Sequence, residues 1–167
     1  MTKIFLFGSR DIYSIPKNIE DQLYNLLQQT NGQLEFLVGD AGGVDAAFQK
    51  TLSAIGARSK TKIYCMDSAR NNKFDLPVRI FKSEYDPDTK RVTLRNEETG
   101  DETVFENIEK PEDLKFNRDY YTFKDRQMIN DCDMAVALWD TKSKGTFTNI
   151  NILKAQDKPV YVFTVVR

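Results

Sequence analysis

Histidine is missing altogether from the 167 residues. Its absence removes the commonest metal ligand and the side chain that ordinarily titrates nearest neutral pH. Ser-His-Asp and Cys-His catalysis are excluded, so any acid–base step falls to a carboxylate, a lysine, a tyrosine or the ligand itself. Cysteine is scarce. Cys65 and Cys132 are too few for a disulfide scaffold and lack metal-ligand spacing, and each lies beside an apolar strand-like run. Reduced core thiols are expected, and neither a metal nor a cofactor is implied. No apolar run approaches the roughly 18–20 residues of a membrane span. MTKIFLFGSR enters a strand directly, without a signal-peptide pattern, so a cytoplasmic chain with no membrane partner is expected. Charge of one sign is lacking too: the formal net charge of −1 gives no global drive toward nucleic acid, which is not expected as a partner.

What is present is a regular alternation of strand and helix signals. A chain of this length is most economically a single domain, residues 1–167, with room for a real core. Lys3 to Phe7 is a short apolar run closed by Gly8, and Ser14-Ile15-Pro16 opens a helix through about Gln29. Leu34 to Val38 is a second strand, Val44 to Ile55 a second helix and Lys62 to Met66 a third strand. After a break the alternation resumes: helix Phe123 to Asn130, strand Asp133 to Trp139, helix Gly145 to Ala155, strand Pro159 to Val166. This order predicts an α/β fold, a Rossmann-like open sheet of about five mostly parallel strands flanked by helices.

The break is a β-rich insertion at about 74–110. Pro77 to Glu84, Lys90 to Asn96 and Glu102 to Asn107 read as three short alternating strands joined by polar turns. About forty residues make a poor independent core. The insertion could cap a pocket, form a subunit contact or be a surface meander.

Three strand-to-loop junctions could carry chemistry, because open α/β sheets bind phosphorylated ligands there. Gly8-Ser9-Arg10 offers a close-approach backbone, a hydroxyl and a guanidinium that can fork onto phosphate; a plain surface arginine is the alternative. In Gly39-Asp40-Ala41-Gly42-Gly43 small residues expose backbone N–H groups before a helix. The Gly-Lys-Ser/Thr ending of a P-loop is missing, and the glycine spacing departs from the dinucleotide fingerprint. Asp40 could hold a ribose hydroxyl, and Asp45 could cap the helix. Ser143-Lys144-Gly145-Thr146 repeats the logic before the next helix, with an ordinary N-cap as the alternative. Trp139-Asp140 precedes it, and the lone tryptophan could stack on a base or serve the core. Lys124, Asp125 and Arg126 fall at the predicted start of a helix, where two cations suit a bound anion or a solvated face.

Together these junctions resemble the SLOG superfamily, which holds the DNA-processing protein DprA, the Lonely Guy phosphoribohydrolases and nucleotide-sensing domains of bacterial defence systems. The resemblance covers residues 1–66 and 120–165 and is nearest to small bacterial or phage-type members with a GSR start, a GDA-G-D loop and a WD-x-KSKGT loop. It implies a nucleotide site built on the residues above, and a homodimer. Arg126 falls where Lonely Guy enzymes carry a helix arginine, and Gly145-Thr146 matches the core of their GGxGTxxE loop. Asn149 stands where that loop has its catalytic glutamate, and asparagine can neither donate a proton as an acid nor stabilise an oxocarbenium ion by charge. Binding of a nucleotide or nucleotide-derived ligand, as a sensor or sequestering module, is therefore the first expectation. The alternative is cleavage or exchange of an N-glycosidic bond, as in a phosphoribohydrolase or nucleoside deoxyribosyltransferase, with Asp40, Asp125 and Asp140 as candidate carboxylates. Single-stranded DNA binding like that of DprA is a third, weaker reading.

Overall fold

The computed structural model describes residues 1–165. Its main sheet has six strands: β1 (Thr2–Gly8), β2 (Leu34–Val38), β3 (Thr61–Met66), β4 (Val78–Phe81), β8 (Met134–Trp139) and β9 (Val160–Thr164). They lie in the order β4-β3-β2-β1-β8-β9, and every neighbouring pair is parallel. The helices are α1 (Lys17–Gln29), α2 (Val44–Ala54), α3 (Arg118–Asp131) and α4 (Lys144–Ala155). The α/β, Rossmann-like expectation is met. Val166, at the end of the expected last strand, lies outside the described residues.

Strand alternation sorts β1 into two cores. Ile4 and Leu6 pack on one face with Ile19 and Leu23 of α1 and Phe48 and Leu52 of α2. Phe5 and Phe7 pack on the other with Phe123 and Met128 of α3 and Ile150 and Leu153 of α4. Both faces of the sheet are thus covered, as a parallel sheet requires. The chain runs outward from β1 through β4, then returns to lay β8 on the other side of β1. Between β1 and β8 the winding reverses, and the carboxyl ends of those strands are where such sheets leave a ligand crevice.

Two expectations need correction. The run Pro77 to Glu84 is not one strand of the insertion. It breaks at Lys82: β4 joins β3 in the main sheet, making six strands rather than five, and β5 (Ser83–Asp86) begins a separate antiparallel meander with β6 (Arg91–Arg95) and β7 (Glu102–Phe105). Asp67 holds the break. Its N–H donates to the Phe81 carbonyl at 2.9 Å, and its carboxylate accepts from the Ser83 N–H and hydroxyl at 2.8 Å each. Val92 and Leu94 then turn the inner face of the meander onto the α3-side core.

Helix α3 starts at Arg118, five residues before the predicted Phe123. Asn117 caps it, accepting from the Asp119 N–H at 2.9 Å. Lys124, Asp125 and Arg126 therefore lie past the first turn, beyond the reach of the helix-end dipole.

Candidate functional site

The loops after β1, β2 and β8, the starts of α2 and α4, Arg70, and one face of the stretch from Lys115 to Met128 line a cavity of about 730 Å³. The glycines at its edge are fixed by contact. A Cβ on Gly8 would stand 2.1 Å from the Leu138 carbonyl oxygen, so β1 and β8 can close up only around glycine. Gly43 has φ +70°, and a Cβ there would meet the Arg10 carbonyl at 2.0 Å. The β1 and β2 loops are thereby pressed together behind the cavity.

The third loop is held by its own polar groups. Asp140 accepts N–H bonds from Lys142 and Ser143 at 2.8 Å each, and these, Ser143 first, hold its carboxyl below the usual range. The Asp140 N–H donates to the Ser9 hydroxyl at 3.0 Å, tying this loop to the first. Thr141 is left at φ +69°, an outlier for a β-branched residue that marks the loop as constrained. Ser143 then caps α4, accepting from the Thr146 N–H.

At the cavity floor four charges meet. Lys124, buried among aspartates, donates to Asp125 at 2.8 Å and lies 3.9 Å from Asp40. Burial opposes its charge, but Asp125, Asp45 and Asp40 together outweigh that and raise its pKa. The partly buried Asp45 folds back to accept the Ala41 N–H at 3.1 Å. Burial pushes its carboxyl up to about 6, against the pull of Lys124 and the Ala41 amide and with a further push from Asp125 and Asp40. Gly39 leaves room for this fold-back, since a Cβ there would lie 2.5 Å from the Asp45 carboxylate.

Of the residues singled out from sequence, Gly8, Arg10, Gly39, Ala41, Gly42 and Asp45 line the cavity from the first two loops. Asp140, Ser143, Lys144, Gly145, Thr146 and Asn149 line it from the third loop and α4, and Asp125 from α3. Ser9 and Gly43 lie behind the lining, one as a hydrogen-bond tie and the other at a close approach.

Three assignments do not survive. Asp40 is not free to hold a ribose hydroxyl: Arg70 locks it through its backbone N–H at 2.8 Å and its guanidinium at 2.8 and 3.2 Å. Arg126 turns away from the cavity to Asp101, at 2.8 Å, and Thr103 of the meander. Trp139 spends its indole N–H on the Ser143 carbonyl at 3.1 Å and stacks on Phe147 at 5.7 Å, so it braces the loop. The two cysteines are buried thiols, pushed up to about 11 by that burial.

Sequence reasoning missed the contribution of residues 115–122 and of Arg70. Arg118, Tyr121 and Phe116 line the cavity because α3 begins early, and the signal for that was Asn117 as an N-cap with Asp119 behind it. Arg70 sits in a polar loop, and nothing local in the sequence marks its pairing with Asp40 thirty residues away.

The lining carries seven lysines and arginines against four aspartates, although the whole chain is slightly acidic. Among the described residues the side chains of Arg10, Arg118, Lys142 and Lys144 have no ion pair or hydrogen bond. Arg118 reaches across to α4: its guanidinium is 3.1 Å from where a Cβ on Gly145 would be. The arrangement can take an anion between the α4 N-terminus, its free N–H groups and these cations. Among the described residues no group of three or more cysteine, aspartate or glutamate side chains is placed to hold a metal, and no helix is long and apolar enough to cross a membrane. No protein-family model, curated protein or solved structure matches this chain.

Proposed function

We propose that this chain is a SLOG-like module that binds a nucleotide or nucleotide-derived anion at the switch point of its sheet, as a sensor or sequestering protein. The observation that carries the reading is that Arg10, Arg118, Lys142 and Lys144 line the same cavity as the start of α4 and, among the described residues, have no side-chain ion pair or hydrogen bond. What sets these apart is that they line one cavity together with the start of a helix, an arrangement suited to gripping a phosphate. The carboxylates named as catalytic candidates are otherwise engaged: Asp40 by Arg70, Asp125 by Lys124 and Asp140 by its own loop. Asn149 faces the cavity with no charge to offer an oxocarbenium ion.

The test is thermal unfolding against mononucleotides, dinucleotides, NAD-derived and cyclic nucleotides, with each ligand recovered and checked for breakdown. A ligand at about 100 times its Kd adds ~2.7 kcal/mol, a rise in Tm of roughly 5–10 °C for a chain of this size. A rise with intact ligand is the expected result. No rise with any of them would overturn the reading.

One observation favours the enzymatic alternative. Asp45 lines the cavity and holds its proton up to about pH 6, a value suited to a general acid. Release of free base by the wild type and its loss in Asp45→Asn would establish N-glycosidic cleavage; intact ligand with both proteins would exclude it.

A further inference from the structure

The segment between the meander and α3 has a side chain that core packing does not explain. Residues Pro111–Phe116 form a short 3-10 turn in which Leu114 points into the core at 5% exposure while Phe116 stands 80% exposed. Phe116 nevertheless lines the cavity. A phenylalanine left this open forgoes most of the burial that normally justifies one. Among the described residues the ring of Phe116 meets only the Lys115 Nζ, at 5.1 Å, whereas Tyr121 lines the same cavity and is held by its neighbours. The Arg70 guanidinium lies 3.8 Å over its ring, and the Tyr120 ring meets it edge-on at 4.8 Å. Arg70 is itself pinned by Asp40, so this wall is set before any ligand arrives.

One residue, Asn117, separates Phe116 from Arg118, and it is extended at φ −95° and ψ 121°. Such a step carries the chain about 7 Å. The backbone positions that carry the aromatic plate and the α4-facing guanidinium are thus about 7 Å apart, and both side chains line the same cavity.

We infer that Phe116, with Tyr121 in the same lining, is the base subsite of this cavity, so that the ligand lies with its ring on Phe116 and its phosphates at Arg118 and the start of α4. The inference rests on the nucleotide reading and narrows it. The ligand class is a nucleoside phosphate held by ring stacking as well as charge, rather than a sugar phosphate or an inorganic anion. None of the three glycine loops supplies the plate; it comes from the segment that follows the insertion.

The experiment compares the four common nucleoside 5′-diphosphates with inorganic pyrophosphate by titration calorimetry, on the wild type and on Phe116→Ala and Phe116→Trp. Stacking on an aromatic side chain is worth enough that its loss costs about 5- to 150-fold in affinity. Phe116→Ala should weaken the diphosphate that binds best by that factor, leave pyrophosphate binding unchanged, and be rescued by tryptophan. The residue is exposed, so its truncation should leave Tm in place. Nucleoside diphosphates that bind wild type and Phe116→Ala equally would overturn the base subsite and leave the nucleotide reading standing. Pyrophosphate binding as tightly as every nucleoside diphosphate would do the same. No binding of any nucleoside diphosphate would overturn the base subsite as stated, and the nucleotide reading would fall with it only if the thermal-unfolding panel were also negative.

Discussion

The meander and the cavity rim use the same charged side chains in opposite ways. In the meander Lys90 meets Glu109 at 2.7 Å, Arg91 meets Glu106 at 3.1 Å, and Arg95 takes Glu102 in a short contact. Arg126 reaches in from α3 to Asp101, and Arg79 joins Asp131 at 2.6 Å and Glu98 at 3.2 Å. At the rim Arg10, Arg118, Lys142 and Lys144 have no such partners among the described residues. Paired surface charges contribute little stability and bind nothing else. Cations gathered without partners beside a helix N-terminus repel one another in the free protein, and that cost is relieved by an anion. On the proposed reading, the contrast separates the part of the molecule that completes a fold from the part that would recognise a ligand.

The largest effects are expected at the glycines. Gly8→Val or Gly43→Ala would drive a Cβ into backbone at about 2 Å, and either should cost about 1–3 kcal/mol or more. Urea unfolding would show the loss, and an unchanged midpoint would mean that the loops are not packed as described. Next come the rim cations. Arg118→Ala and Lys144→Ala should each weaken a phosphorylated ligand by about 1.5–3 kcal/mol, the worth of a charge-assisted hydrogen bond, with Tm unchanged. Weakening should shrink as salt rises, because the wild type loses its own advantage there.

Asp45 sharpens the comparison through pH. A carboxyl raised to about 6 from 3.8 binds its proton more tightly in the folded chain than in the unfolded one. Its contribution to stability therefore rises as pH falls from about 7 through 6, and levels off near the unfolded value of about 4. Over the same window one negative charge leaves the cavity, so an anionic ligand should bind more tightly. Asp45→Asn should flatten both curves relative to wild type at matched pH. Parallel curves for the two proteins would show that Asp45 is already ionised at pH 5. The smallest effect belongs to the meander: Arg95→Ala removes an exposed, screened ion pair and should leave both Tm and ligand affinity essentially unchanged. An Arg95 variant that lost the ligand would erase the distinction between the two regions.

The sequence carried the alternating core well because its signals are local. Leu34–Val38 is bounded as its apolar run suggests, and α2 and α4 begin within one residue of the positions their small-residue turns indicate. What escaped was non-local. Val78 and Ile80 alternate with Arg79 in a way that fits any edge strand, and only the parallel pairing with Ile63 to Met66 places them in the main sheet. The early start of α3 was masked by the polar Arg118-Asp119-Tyr120-Tyr121-Thr122 stretch, which shows no helical stripe although Asn117 caps it. The glycine loops were legible as strand-to-helix turns, because glycine-rich stretches between an apolar run and a helical pattern mark such turns, and the structure lines its cavity with them. Arg126 was misjudged because its partner Asp101 lies across the insertion, and Trp139 because its indole bonds a carbonyl four residues on.

The most direct measurement is titration of a nucleoside diphosphate into the wild type and into the Arg118→Ala, Lys144→Ala double variant, with Tm recorded for both. The wild type should bind, and the double variant should bind about a hundredfold more weakly or worse at an unchanged Tm. Equal affinity in the two proteins, or no binding by the wild type, would contradict the assignment of these cations to a phosphate.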